Sequence, residues 1–361
     1  ADDREAPEGG APTTDAGGDS PSRPASRRRR IGRWMGLGAL VLVAVVLLAA
    51  FTPWLDSDLS SHAHPEGSYA AAESALAALD KQDGADIAPD CRTIAMTQGH
   101  RTDKVAVLLH GFTSCPEQFR AMAQAYADAG YNVIVPRLPG HGYADRLTNA
   151  PSDVTPQQLI DATAQAIDIA AGLGDHVEVV GLSAGGTLAA WAAAHRNDVT
   201  SAVIIAPMLL PRILPDMVLA PFARISAHVP DYYLWWDGEK KETLASPPYA
   251  YPRYSLRNLG AFLAVSRDAQ DHIDRTTAMD RLVVVVNDSD DAVSNVPSKA
   301  FASHMASHAN QVSTVVIPSE KHWGHDLVSI DGENAQDIRE IYTQLGSILQ
   351  LPTLVDHLPS A

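Results

Sequence analysis

Gly181-Leu182-Ser183-Ala184-Gly185 places one serine directly after the β-branched run "HVEVVG" and directly before the alanine-rich run "AGGTLAAWAAAH". The pattern is G-x-S-x-G. With a strand before it and a helix after it, such a pentapeptide forms a sharp turn that presents the hydroxyl at the head of a sheet. The small neighbours let strand and helix approach closely. A serine hydroxyl at its ordinary pKa is a poor nucleophile, so it needs a base, and the base needs an acid to orient it. Downstream, "VVVVNDSDDAVSN" carries Asp288, Asp290 and Asp291 just past an apolar run, and "VVIPSEKHWGHDLV" carries His322 and His325 past the next one. Ser, then Asp, then His is one of the chain orders in which this constellation occurs, and its chemistry is acyl transfer through a serine ester. His322 and His325 also form an H-x-x-H pair. Such a pair meets on one face of a helix, but here it follows a strand and contains Gly324, so it does not read as a metal site.

These groups must be positioned by the elements around them. Apolar or alternating runs predict strands at 92–96 (weak), 104–110, 131–136, 176–181, 200–206, 281–287 and 312–318. Helices are expected at 68–82, 116–129, 155–173, 184–195, near 296–309 and near 334–350. Strands alternating with helices call for a mostly parallel sheet covered on both faces, with chemistry at the carboxyl ends of the strands. The stretch from Pro207 to about Leu259 breaks the rhythm. It is rich in Pro and aromatics and too long for a plain connection. It reads as a small cap, in which Tyr232, Tyr233, Trp235 and Trp236 either line an apolar pocket or pack the cap on the core.

Taken together, "VAVLLHGFTSCPEQF", "PRLPGHG", "GLSAGG", "DSDDAVS" and "HDLVSID" resemble the α/β-hydrolase superfamily, and more narrowly its carboxylesterase and monoacylglycerol-lipase-like branch. The resemblance covers roughly residues 88 to 350. It implies an α/β fold, a mostly parallel sheet flanked by helices with a small cap insertion. It also implies that Asp290 is the acid, since Val293 stands three residues on, with Asp288 and Asp291 as runners-up. Counting back from Ile341-Tyr342 and Asp331 selects His325 ahead of His322. The "HGF" loop becomes an oxyanion loop, with the backbone N–H groups of Phe112 and Ala184 as donors, while His110 and His141 brace loops. The activity implied is hydrolysis of carboxylic esters with neither metal nor cofactor. Three rivals share the fold: an envelope acyltransferase using the same three residues, a non-catalytic domain that binds a lipid or a protein, and a peptidase, for which no acidic pocket residues tie to an amino-terminal substrate.

The ends of the chain carry a different message. Residues 1–33 are rich in Pro, Gly, Ser, Ala and charge and are expected to be disordered. Trp34 to Leu55 is 22 residues without a charge, and roughly 20 apolar residues suffice to cross the hydrocarbon layer. No small-x-small cleavage site follows, so the segment reads as an uncleaved transmembrane anchor. Arg27 to Arg30 and Arg33 precede it and Asp56 and Asp58 follow, which keeps the N-terminus cytoplasmic and puts the rest outside the plasma membrane. Residues 56–87 read as linker and helix, and 351–361 as a tail. The chain carries −16 net charge, and the first 33 residues hold seven arginines against six acids, so the outer part is distinctly acidic. An acidic domain excludes nucleic acid as a partner, because phosphate binding needs a basic face. The expected partners are a small-molecule or lipid ester and the membrane. Cys91 and Cys115 are the two cysteines, both on the oxidising side, and a disulfide between them is expected.

Overall fold

Val283 to Val286 is a run of four valines that a one-faced sheet would leave half in water. In the computed structural model the run is buried throughout. The structure describes residues 59–359 except 245, together with Leu40 and Ala44. The expected anchor over 34–55 and the tail before it therefore lie outside the described residues, apart from those two positions. Among the described residues no helix is long and apolar enough to cross a membrane.

The elements in chain order are α1 (Tyr69–Lys81), β1 (Ile94–Met96), β2 (Thr102–Leu109), α2 (Arg120–Asp128), β3 (Asn132–Val135), α3 (Pro156–Leu173), β4 (Gly174–Leu182), α4 (Ala184–His195) and β5 (Val199–Ile205). They continue with α5 (Leu219–Ser226), β6 (Tyr233–Trp235), β7 (Arg253–Ser255), α6 (Leu256–Asp271), β8 (Met279–Asn287), α7 (Asn295–His304), β9 (Ala309–Ile317) and α8 (Ile338–Leu349). Seven strands form one sheet in the order β1-β3-β2-β4-β5-β8-β9. All its pairs are parallel except β1 with β3. The weak strand predicted at 92–96 is the three-residue antiparallel edge. Beyond this sheet, β6 and β7 make a small antiparallel hairpin.

Period-two alternation divides the strands between two cores. Val105, Val107, Leu109, Val179, Ile204 and Val284 pack with α1, α3, α4, α6 and α7 on one face. Ala106, Leu108, Val180, Val203, Ile205 and Val285 pack with α2 and α8 on the other. Double coverage is why these strands read as nearly continuous apolar runs. Helix starts follow local chemistry: Thr155 and Gln158 form a capping box ahead of α3, with Pro156 at its first position. The Ser255 hydroxyl caps α6 by accepting from the Asn258 N–H.

The sequence rhythm missed one long element. α6 runs 16 residues, beginning inside the stretch read as a cap, and its buried Leu259, Phe262 and Leu263 do recur at helical spacing. The Pro- and aromatic-rich residues before it conceal its start. Cys91 and Cys115 form the expected disulfide, with a Cα–Cα distance of 5.2 Å, joining the turn before β1 to the loop after β2. Both cysteines are buried with Ile87, beside Tyr143 and Tyr249.

Candidate active site

Ser183 stands between β4 and α4 with φ 56° and ψ −115°, a conformation side chains rarely adopt. Three backbone hydrogen bonds hold it there. Its N–H donates to the Ile205 carbonyl (3.0 Å), and its own carbonyl accepts from Thr187 (2.9 Å) and Met208 (3.0 Å). The flanking glycines are required by space: a Cβ at Gly181 would overlap the Gly185 carbonyl, and one at Gly185 would overlap the Leu109 carbonyl. The sequence thus bends the chain where no side chain fits and leaves the serine at the carboxyl end of the sheet.

Asp290 and His325 are joined there. Asp290 follows β8, its side chain fully buried, and Oδ2 lies 2.7 Å from His325 Nδ1. Oδ1 accepts the N–H groups of Ala292 and Val293, each at 2.9 Å. A carboxylate on Nδ1 assigns the proton to that nitrogen and leaves Nε2 as the acceptor. Burial alone would push the Asp290 carboxyl up, but the hydrogen bond and charge of His325 and the two backbone N–H groups hold it below the usual carboxylate range. Burial would likewise push the His325 imidazole down, and Asp290, with Asp326 and Glu333, reverses this and raises it. The loop carrying His325 is braced: Asn287 Nδ2 donates to the Trp323 and Gly324 carbonyls, and the Gly324 N–H donates to Asn334 Oδ1 at 2.7 Å. His322 is exposed at the end of a 3₁₀ turn. Asp288 faces Asn295 and Lys299, and Asp291 faces solvent.

The segment after β5 connects serine and acid. Met208 bonds back to Ser183, Pro211 bridges to Val293, Arg212 N–H donates to the Ala292 carbonyl and Ser294 N–H to the Leu210 carbonyl. Among the described residues no hydrogen bond joins the Ser183 hydroxyl to His325. The Asp290–His325 pair is assembled at the sheet end that also carries Ser183.

The loop expected to supply an oxyanion donor follows β2. The Phe112 and Ala184 N–H groups donate to no acceptor among the described residues. The Gly111 N–H is taken by Gln118 Oε1 at 2.7 Å. His110 braces the loop as expected: Nδ1 lies 3.0 Å from the Gly111 carbonyl and Nε2 accepts the Leu138 N–H at 3.2 Å, which fixes a neutral tautomer. Burial and the neighbouring His141 push His110 well below the ordinary imidazole range, and burial pushes His141 down to about 4. Neither can serve as a charged group near neutrality.

Of the four cap aromatics singled out in the sequence, the structure brings Trp236 to this loop. Its Nε1 donates to Thr113 Oγ1 at 3.0 Å and its ring stands 6.1 Å from that of Phe112. Tyr233 instead stacks under Arg253 at 4.3 Å, and its hydroxyl donates to the Asn149 carbonyl. Trp235 lies against Lys241, and Tyr232 is exposed. Sequence reading missed Tyr254 and Phe262, whose rings lie 5.8 and 5.6 Å from Phe112. Their only signal was aromatic character, Tyr254 in the short strand β7 and Phe262 in the middle of α6. A cavity of about 540 Å³ between the cap helices and the start of α3 includes none of these residues. No group of three metal-ligating side chains occurs among the described residues.

Comparison with known proteins agrees with this frame. Over 114 residues the chain is 36% identical to a thermostable monoacylglycerol lipase of Bacillus sp. (strain H-257), a match that covers 31% of this chain and 44% of that one. The chain thus spans less than half the length of that relative. A soluble variant of monoglyceride lipase from Saccharomyces cerevisiae, solved with a substrate analogue, superposes with a TM-score of 0.54 at 12% identity, covering 74% of this chain and 92% of that one. The monoacylglycerol lipase of Paleococcus ferrophilus superposes with a TM-score of 0.50 at 14% identity, covering 73% and 98%. At such identities the likeness is one of fold. Residues 106–336 match the profile of the alpha/beta hydrolase family, a span that runs from inside β2 past the elbow, the acid turn and the histidine loop, and the chain belongs to that family.

Proposed function

We propose that this chain is a serine hydrolase of carboxylic esters, of the carboxylesterase and lipase kind, held at the outer face of the plasma membrane by its N-terminal segment. The observation that carries the reading is the Asp290–His325 hydrogen bond of 2.7 Å, with Nε2 left as the acceptor at the sheet end that also carries the strained Ser183. In the first half-reaction Ser183 Oγ attacks the ester carbonyl while His325 Nε2 takes its proton. Negative charge on the carbonyl oxygen is met by the Phe112 and Ala184 N–H groups, and Asp290 stabilises the imidazolium. His325 returns the proton to the departing alcohol. Water then attacks the acyl-serine, with His325 as base, and releases the acid. No step requires a metal or a cofactor.

The rings of Phe112, Trp236 and Tyr254 around the oxyanion loop suit an apolar acyl or alkyl group. Relatives named as monoacylglycerol lipases support a small or lipid ester as substrate. The anchoring rests on the uncharged stretch Trp34 to Leu55 with arginines before it. Hydrolysis of p-nitrophenyl esters by the wild type and by Ser183→Ala tests the chemistry. The serine variant is expected to fall to background and to lose labelling by a fluorophosphonate, and wild-type rates in that variant would refute the reading.

A further inference from the structure

Gln118 lies one turn into the segment after the oxyanion loop, with its side chain buried. Its amide joins two loops that the chain separates widely. Oε1 accepts the Gly111 N–H at 2.7 Å. Nε2 donates to Asp326 Oδ2 at 2.9 Å and to Ser329 Oγ at 3.2 Å, more than 200 residues away. These partners fix the amide orientation, because an N–H can only be met by the oxygen and a carboxylate only by the nitrogen. Asp326 immediately follows His325. Its carboxylate is saturated: Oδ1 accepts from the Val328 and Ser329 N–H groups at 3.0 and 2.9 Å, and Oδ2 accepts from the Ser329 hydroxyl at 2.5 Å as well as from Gln118. Occupying the Gly111 N–H ties that peptide to Gln118, while the next N–H, that of Phe112, is left without an acceptor among the described residues.

We infer that Gln118 is a positioning residue that couples the oxyanion loop to the histidine loop through Asp326, so that the oxyanion donor and the base keep one register. The inference rests on the reading of Ser183 and His325 as nucleophile and base. It predicts that the electrical state of the Asp326 carboxylate reaches His325, whose charged neighbours are Asp290 from the β8 turn, Asp326 beside it and Glu333 across the loop. A residue that merely filled space would leave both turnover geometry and base titration alone.

The experiment measures kcat, KM and the pH dependence of kcat/KM on a short p-nitrophenyl ester for the full chain, with Ser183→Ala alongside. Gln118→Met removes both bonds at similar volume, and kcat should fall about 10- to 100-fold with KM changed little, as for a small misplacement of reacting groups. The acid limb should move to higher pH as Asp326 loses a donor. Gln118→Glu keeps the acceptor for Gly111 but sets two carboxylates face to face, and should be as poor. Asp326→Asn should move the acid limb to lower pH. Combining Gln118→Glu with Asp326→Asn restores a donor facing an acceptor and should recover most of kcat. Wild-type kcat and pH limb in Gln118→Met, or a double variant no better than Gln118→Glu, overturns the inference while an inert Ser183→Ala leaves the nucleophile reading standing. An active Ser183→Ala overturns that reading itself, and the inference with it.

Discussion

Asp290 and His325, 35 residues apart in the chain, meet through Oδ2 and Nδ1 at 2.7 Å, with the carboxylate closed off from solvent. Shielding from water makes this pair strong and sets its titration. In the proposed reaction the imidazole must be neutral to accept the serine proton, and Asp290 holds its pKa above the ordinary value of about 6.5. Activity should therefore rise with pH through a midpoint above that of free imidazole. Asp290→Asn should shift the midpoint downward and cut kcat by on the order of 10⁴, the loss seen where a triad acid is neutralised. A pH profile of kcat/KM for both proteins checks this.

Ser183 is held at φ 56° and ψ −115°, where a residue without Cβ would be unstrained. Such strain costs of order 1–3 kcal/mol, and the extra unfolded-state freedom of glycine returns part of it. Ser183→Gly is expected to be inert yet more stable by about 1 kcal/mol, read as a higher urea midpoint at unchanged slope. A lower midpoint would show that the bend is not strained.

Gly185 has no room for a methyl group, because the Leu109 carbonyl occupies that space. Overpacking against backbone costs more than against a side chain that can swing away, so Gly185→Ala should lose about 3 kcal/mol or fail to accumulate as soluble protein. Thermal melting of purified variant and wild type is the measurement.

His110 and His141 are both buried and neutral, and His141 titrates at about 4 in the folded chain against about 6.5 unfolded. The unfolded state therefore binds more protons between these values, and stability must fall as pH drops from about 6.5 toward 4. For His141 alone the loss is on the order of 3 kcal/mol at the lower end. Denaturation midpoints at pH 7, 5.5 and 4.5 should decline, and His141→Phe should flatten the decline.

Much of this was legible in advance, and the reason lies in which interactions are local. The strands beginning at residues 102, 174 and 279 announce themselves because their later residues, buried on both faces, are almost all apolar. Ser183 is visible because its neighbours must be small, and Asp290 and His325 because each follows a strand. Between His322 and His325 the spacing favoured His325, and the structure places Asp290 against that residue. The Gln118 bridge was not legible: a glutamine on one turn bonding an aspartate 208 residues later leaves no local pattern. Nor was the division of the cap aromatics, since only the fold decides that Trp236 turns to Thr113 while Tyr233 turns to Arg253.

The Cys91–Cys115 bridge closes a loop with a sequence separation of 24. Chain entropy for such a loop gives about 3 kcal/mol of stabilisation. Cys91→Ala with Cys115→Ala should lower stability by roughly that amount. Because both sulfurs are buried, dithiothreitol should leave the folded protein unchanged for far longer than it leaves the urea-unfolded chain, as alkylation and mass measurement would record.

Ser183, Asp290 and His325 hang from the tips of three different parallel strands, whereas the ring of Trp236 belongs to the insert between β5 and α6. On the proposed reading, what this molecule does to a bond and which molecules it admits are inscribed on separate stretches of polypeptide. An insert exchanged with that of another family member would retune selectivity while the reactive centre is inherited intact, so diversification can proceed without reopening the scaffold.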